Sequence, residues 1–417
     1  MEYGLIGEKL SHSFSKEIHS GLANYPYELK EISPENLEEF MLSKNFKAIN
    51  VTIPYKEAVI PYLDEISDNA KEIGAVNTVI NKDGKLFGFN TDFLGLRELI
   101  TYNKITLKGK KVLILGSGGT SKTALAVAKS LEAAEVYRVS RKGGESLITY
   151  MEAYQNHKDT EVIINTTPCG MYPNIGETAI RIDEFHNLEA VVDVVYNPLS
   201  SALVVEAKKR KIKAVGGLFM LVAQAFFACE LFKDKKLSKA KMAEIYSEIL
   251  SKKQNIVLIG MPGCGKTTIG KILAESLGKC FIDTDEEIVK QDGISIPEIF
   301  KTRGEKTFRE IESRVIAEIS ANQGLVIATG GGAVLNSRNI DLLKENGKVI
   351  FLDKDIDDIV TTSDRPLSSN KQDLQKRYDE RYDIYVSSAD FKIDCNNNVT
   401  DNVNAIKEVI FSENFSD

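Results

Sequence analysis

The sequence predicts an α/β chain built on parallel sheets, and three observations carry the prediction. Gly260-Met-Pro-Gly263-Cys264-Gly265-Lys266-Thr267 fits the phosphate-loop template Gly-x-x-x-x-Gly-Lys-Ser/Thr without a mismatch, between an apolar run at 256–259 and a helical pattern at 268–277. Gly116-Ser117-Gly118-Gly119-Thr120-Ser121 is a glycine turn of a different kind, again with a strand before it and a helix after it. Short apolar runs alternate with helical patterns along the chain, as βαβ units require. A chain of 417 residues exceeds what one ordinary core holds, so several domains are expected.

Taken in order, residues 1–103 are expected to form an α/β domain for binding substrate. Residues 48–53 and 77–80 read as strands, and 85–89 completes a hairpin behind the turn Asn81-Lys82-Asp83-Gly84. Residues 104–217 are expected to form a Rossmann-type domain. Its first strand is 112–115, its turn 116–121, its helix 123–131 and its second strand 136–139, with 162–165 and 191–194 continuing a doubly wound sheet. Helices are expected at 218–232 and 239–250, returning to complete the first domain. The polar stretch 251–255 reads as a linker. Residues 256–417 are expected to form a P-loop domain of the nucleoside-monophosphate-kinase type, with a frayed tail at 414–417.

Composition narrows the partners. Lys plus Arg number 53 and Asp plus Glu 60, a net charge of −7, which argues against nucleic acid or an anionic membrane surface. Cys169, Cys229, Cys264, Cys280 and Cys395 are scattered, with no Cys-x-x-Cys pair, so neither a disulfide framework nor a zinc site is expected. The opening Met1-Glu2-Tyr3-Gly4 enters a strand without a leader-like segment, and no apolar run approaches membrane-spanning length, so a cytoplasmic protein is expected. Monomer and homodimer both remain open.

The motifs carry the chemistry. In a phosphate loop, Gly260, Gly263, Cys264, Gly265 and Thr268 lend backbone N–H groups to phosphate oxygens, Lys266 reaches the β- and γ-phosphates, and Thr267 ligates Mg²⁺. Asp283-Thr-Asp285 follows at a strand end. Asp283 is expected to hold the Mg²⁺ water shell, and Asp285 to accept the proton of an attacking hydroxyl. ATP and Mg²⁺ are therefore expected. At the other turn, an NAD site would have Asp or Glu after the second strand to meet the ribose 2′-hydroxyl. This chain has Ser140-Arg141-Lys142, two cations and a hydroxyl, which suit a 2′-phosphate and point to NADP(H).

Seven short segments stand in order around that turn. They are Ser11-His-Ser13-Phe-Ser15, Asn50-Val-Thr52-Ile-Pro-Tyr-Lys56, Gly74-Ala-Val-Asn77-Thr78, Gly88-Phe-Asn-Thr-Asp92, Asn165-Thr-Thr-Pro168, Asp193-Val-Val-Tyr196-Asn-Pro198 and Gly217-Leu-Phe-Met220-Leu-Val-Ala-Gln224. Together they resemble shikimate 5-dehydrogenase over residues 1 to about 250. The resemblance implies reduction of 3-dehydroshikimate with Lys56 and Asp92 as the catalytic pair. It implies Ser13, Ser15, Thr52, Asn77, Asp92, Tyr196 and Gln224 as shikimate ligands. Gly217 and Met220 would join the turn residues 116–121 at the cofactor. Ser140 stands where the family often has Asn before Arg.

The second half carries Phe308-Arg309-x-x-Glu312, the run Gly330-Gly331-Gly332, and Arg365-Pro-Leu367 in a polar stretch, besides the phosphate loop and Asp283-x-Asp285. Arg309 offers a planar fork to a carboxylate, and Glu312 lies one helical turn away to orient it. This set resembles shikimate kinase from 256 to about 412. The resemblance implies shikimate ligands at Asp285, Arg309, Gly331, Gly332 and Arg381, with Arg365 as a catalytic lid arginine over the ATP phosphates. The chain has no arginine between Lys354 and Arg365, where the family often has one. The expected whole is a bifunctional enzyme making and then phosphorylating shikimate. The alternatives are an NAD-linked quinate/shikimate dehydrogenase, which Arg141 argues against, and a second half that is degenerate or specific for another small alcohol.

Overall fold

The computed structural model describes residues 1–10, 14–359, 371–395 and 398–413. The chain divides into two compact units, one of residues 1–171 and 177–249, the other of 172–176 and 250–417.

The first unit holds two sheets. One is built from β1 (Tyr3–Gly7), β2 (Tyr27–Glu31), β3 (Ala48–Val51), β4 (Glu65–Ile66), β5 (Thr78–Lys82) and β6 (Lys85–Phe89), in the order β2-β1-β3-β5-β6-β4. β1 runs parallel to β2 and β3, whereas β3-β5-β6 is antiparallel and the turn at Asn81–Gly84 makes the expected hairpin. The edge strand β2 buries Tyr27 and exposes Glu28, Leu29, Lys30 and Glu31, a charged border that discourages edge pairing. β3 ends two residues before the expected 53. The chain turns away at Thr52, and Ile53 is 74% exposed.

The second sheet contains β7 (Lys111–Leu115), β8 (Glu135–Ser140), β9 (Ile148–Thr149), β10 (Val162–Asn165), β11 (Ala190–Asp193) and β12 (Lys213–Val215). Its order is β12-β11-β10-β7-β8-β9 and its pairings are parallel. The chain moves outward from β7 to β8 and β9, then returns beside β7 as β10. That reversal opens a crevice at the carboxyl ends of β7 and β10, where doubly wound sheets bind ligands. The helix behind the glycine turn spans Gly119–Ser130, beginning four residues before the expected 123. Gly119, Thr120 and Ser121 read as turn residues, but a first helical turn tolerates such small groups because its N–H groups have no intrahelical partner.

The helix Leu218–Lys233 is apolar nearly all round and buried, as a core helix should be. It packs against the helix Thr91–Tyr102 at Gly95. A Cβ there would lie 2.8 Å from the Met220 carbonyl oxygen and 2.9 Å from the Gln224 Cβ.

The second unit holds β13 (Asn255–Ile259), β14 (Cys280–Asp283), β15 (Leu325–Ala328), β16 (Gly347–Asp353) and β17 (Phe391–Asp394), all parallel in the order β14-β15-β13-β16-β17. β13 is central and wholly buried, so the phosphate loop leaves the middle of the sheet. The stretch 251–255 corrects the expectation of a linker. The helix Lys239–Lys253 runs through it, β13 begins at Asn255, and Gln254 alone lies between them. Its polarity is that of a final helical turn, where Lys252 and Lys253 complement the carbonyl end of the dipole. The terminal carbonyls are all met. Gln254 N donates to Leu250 O, Gly324 N to Lys253 O, and the Lys279 ammonium to Ser251 O, Lys252 O and Gln254 O at 2.7–3.1 Å. Among the described residues, no helix is long and apolar enough to cross a membrane.

Candidate active sites

In the first unit the turn after β3 delivers Lys56, and the first turn of the helix Thr91–Tyr102 delivers Asp92. Lys56 Nζ lies 2.5 Å from Asp92 Oδ2, with the two side chains 24% and 15% exposed. Asp92 thus sits in the first turn of a helix, whose dipole favours negative charge, beside the Lys56 amine. Asn90 caps this helix, its Oδ1 accepting from Phe93 N at 3.0 Å. Asn77 lies at the entry to β5. Its Oδ1 accepts from Thr91 N (2.7 Å), Thr91 Oγ1 (3.2 Å) and Thr78 Oγ1 (3.1 Å). The backbone donor fixes which end is oxygen, and the amide nitrogen has no partner among the described residues. Below it, Asn50 accepts from Tyr27 Oη and donates to Thr78 Oγ1, a buried polar chain under the strand ends.

The other expected residues of this unit are placed as follows. Ser15 is buried at the start of the helix Ser15–Leu22, and Thr52 is half-buried in the turn before Lys56. Tyr196 is half-buried with its ring edge-on to Phe14 at 5.5 Å, and burial raises its phenol pKa. Gln224 donates to Leu221 O at 3.0 Å, which leaves its amide oxygen without a partner among the described residues. Ser13 lies outside the described residues. Sequence reasoning did not single out Asn50, Thr78, Asn90 or Thr91 by role. Each is a polar residue within an apolar strand end or cap, the one signal that marks them.

At the glycine turn, Gly116 takes φ +122°, and a Cβ would sit 2.6 Å from Thr166 Oγ1, so only glycine fits. Cβ atoms at Gly118 and Gly119 would meet open space, which leaves the helix N-terminus uncovered there. Ser117 is exposed, Thr120 half-buried, and Ser121 bonds back to Gly118 O. Ser140 ends β8, with Arg141 and Lys142 exposed beyond it. Gly217 packs on β11's exit, where a Cβ would overlap Val194 O, and Met220 is buried one turn further on. Asp193 anchors that exit. It accepts from Asn165 Nδ2, Val195 N and Ser201 Oγ, and burial raises its pKa to about 6.

In the second unit Gly260, Gly263 and Gly265 take φ values of +146°, +87° and +102°, which wrap the loop around the N-terminus of the helix Lys266–Leu277. Lys266 is 8% exposed, and its ammonium donates to Gly260 O (2.8 Å) and Met261 O (2.9 Å). Cys264 is buried with Sγ 3.8 Å from that ammonium. Thr267 Oγ1 donates to Asp283 Oδ2 at 2.7 Å, while Asp283 Oδ1 caps the next helix by accepting from Asp285 N. Lys266, Thr267, Thr268 and Asp283 line one cavity, which has a volume of about 940 Å³.

The three glycines after β15 each make room for a different neighbour. A Cβ at Gly330 would lie 2.7 Å from Asp285 Oδ1 and 2.9 Å from Glu312 Oε1. One at Gly331 would meet Pro262 at 2.7 Å, and one at Gly332 would overlap the Arg309 guanidinium. Arg309 donates to Glu312 Oε2 at 2.8 Å and to Glu305 at 3.3 Å. Glu312 is 1% exposed, and its pKa is raised by burial against the pull of Arg309. Arg309 Nε and Glu312 Oε1 are buried without a hydrogen-bond partner among the described residues. Arg381, on the helix Lys371–Ser388, donates to Gly331 O at 3.1 Å. Arg309 stands beyond a break at Gly304 (φ 78°) in the segment Ile296–Ser320, which turns Phe308 and Arg309 into the cavity. Arg365 and Leu367 lie outside the described residues.

Comparison with known proteins gives a match for each half. The family model "Shikimate kinase" matches residues 262–411, and "Shikimate dehydrogenase substrate binding domain" matches residues 5–79. A shikimate dehydrogenase (NADP(+)) of Clostridium perfringens is 38% identical over 265 residues, covering 59% of this chain and 97% of that protein. Shikimate dehydrogenase 1 of Peptoclostridium difficile superimposes with a TM-score of 0.55 at 35% identity, covering 60% of this chain and 98% of that one. A shikimate 5-dehydrogenase of Thermus thermophilus, solved with NADP(H) and shikimate, gives 0.54 at 28% identity, covering 60% and 99%. The chain belongs to the shikimate dehydrogenase family through its first part and carries a shikimate kinase domain in its second.

Proposed function

We propose that the chain catalyses two consecutive reactions: reduction of 3-dehydroshikimate to shikimate with NADPH, and phosphorylation of shikimate with ATP to shikimate 3-phosphate. The observation that carries this reading is the joining, in one chain, of a shikimate dehydrogenase and a shikimate kinase domain, the product of one being the substrate of the other. The setting proposed is the cytoplasm, in keeping with five free cysteines.

In the first reaction NADPH supplies hydride to the ketone carbon. Lys56 polarises the ketone and gives the proton to its oxygen, while Asp92 holds the ammonium in place. Asn77 offers N–H to a substrate oxygen because its own oxygen is taken, and Gln224 offers an acceptor to a substrate hydroxyl. Ser13, Ser15, Thr52 and Tyr196 complete the neutral ring suited to a polyhydroxylated acid. The turn 116–121 suits a pyrophosphate, with bare space at Gly118 and Gly119 over a helix N-terminus. Gly217 and Met220 border the nicotinamide end. Ser140, Arg141 and Lys142 meet the 2′-phosphate, in line with the NADP(+) of the relatives' names.

In the second reaction ATP supplies the phosphoryl group. The loop 260–268 cradles its phosphates, and Lys266 and Arg365 neutralise charge on them. Thr267 and Asp283 present only oxygens, a donor set that fits Mg²⁺. Asp285 takes the proton of the attacking hydroxyl. Arg309 and Arg381 hold the shikimate carboxylate beside Gly331 and Gly332, and Arg309 Nε has no protein acceptor among the described residues.

A single assay tests the proposal. 3-Dehydroshikimate, NADPH, ATP and Mg²⁺ are supplied together, and NADPH loss and ADP release are followed separately. Both signals are expected, and Lys56→Ala should abolish both unless shikimate is added, which restores ADP release alone. Absence of ADP release with added shikimate would refute the kinase assignment. Preference for NADH over NADPH would refute the cofactor assignment.

A further inference from the structure

We infer that Asn90, which touches neither substrate nor cofactor in the proposed reaction, is a positioning residue that sets the register between Lys56 and Asp92. The inference rests on the dehydrogenase reading given above.

Three consecutive residues, Ala75, Val76 and Asn77, hold the two halves of the catalytic pair. Val76 N donates to Lys56 O at 2.8 Å, so the backbone of Lys56 hangs from this segment. Asn77 Oδ1 accepts from Thr91 N, and Ala75 O accepts from Asn90 Nδ2 at 3.0 Å, so the residues just before Asp92 hang from it too. Asn90 is 2% exposed and uses both ends of its amide. The nitrogen bonds Ala75 O, and the oxygen caps the helix through Phe93 N. A cap alone needs only the oxygen, and serine or aspartate would serve. The nitrogen is what joins the cap to the segment carrying Lys56. Without it, the helix N-terminus keeps its cap and the Asn77–Thr91 bonds but loses the tie from Asn90 to Ala75 O.

Two variants separate the roles. Asn90→Ser keeps an N-cap oxygen and cannot reach Ala75 O. Asn90→Asp keeps the cap and places a second oxygen against that carbonyl. With saturating shikimate and NADP⁺, kcat is expected to fall about tenfold or more in both, because small misplacements of reacting groups cost rate steeply. KM for NADP⁺ should stay within about twofold, and the midpoint of thermal unfolding of Asn90→Ser within a few degrees. ATP turnover by the same preparation, with shikimate supplied, counts folded chains. A wild-type kcat in Asn90→Ser would overturn the inference, as would a loss of kcat matched by an equal loss of ATP turnover. Wild-type chain that fails to oxidise shikimate at all would overturn the dehydrogenase reading, and the inference with it.

Discussion

Replacing Gly95 by alanine is expected to damage the dehydrogenase through geometry alone. Gly95 lies on the helix carrying Asp92, where it faces the helix carrying Gln224, and a Cβ would stand 2.8 Å from Met220 O, 2.9 Å from Gln224 Cβ and 3.0 Å from Gln224 N. None of the three is the movable end of a side chain, so rotamer changes give no relief. Ordinary contact needs about 3.5 Å, so the helices must part by roughly half an ångström. In a helix interior alanine is favoured over glycine by about 1 kcal/mol, while overpacking costs about 1–3 kcal/mol, so the net loss of stability is at most about 2 kcal/mol. The shift falls instead on the spacing of Gln224 and Asp92. With about a hundredfold lost per ångström of misplacement, half an ångström predicts about a tenfold drop in kcat/KM for shikimate. The assay is shikimate-dependent NADP⁺ reduction, normalised to ATP turnover by the same sample. A Gly95→Ala chain with wild-type kcat/KM would show that the close approach does not set the site.

Further outcomes follow from other contacts. Glu312→Gln removes the charge that Arg309 faces at 2.8 Å, so KM for shikimate in the kinase assay should rise about tenfold or more, with KM for ATP little changed. For Asp193 burial lifts the folded pKa to about 6 from an ordinary 3.8, so between those pH values the folded chain holds a proton that the unfolded chain has lost. Stability from this group therefore falls as pH rises through that window, by roughly 3 kcal/mol in all, and Asp193→Asn should abolish that part of the pH dependence in thermal melts from pH 4 to 7. Lys279→Met strips the donor from three helix-terminal carbonyls and should cost about 1–3 kcal/mol, read as a lower melting temperature of the kinase part that Lys279→Arg partly restores.

What the sequence made legible was local. Val162-Ile-Ile-Asn165 is β10 to the residue, because a β-branched run bounded by polar residues admits little else. Arg309 and Glu312 could be paired from their spacing on a helix, and they meet at 2.8 Å. The phosphate loop announced its glycines, and three of them occupy the left-handed conformations that require that residue. What stayed hidden is contact between distant segments. No pattern around Gly95 says that another helix presses on it, and none around Asn50 says that Tyr27 and Thr78 complete its bonds. The false linker at 251–255 has the same origin. A polar string looks the same whether water or Lys279 answers its carbonyls.

The bonds that Lys266 makes to its own loop bear on which ligands the loop favours. The lysine ammonium donates to two carbonyls of the loop itself, Gly260 O and Met261 O. A newcomer must draw the lysine off those oxygens, forgoing roughly 3–6 kcal/mol of charge-assisted bonding. Adenosine brings nothing to exchange, whereas a di- or triphosphate offers a stronger anion in trade. On the proposed ATP reading, a loop held this way favours nucleotides over dephosphorylated nucleosides by their negative charge.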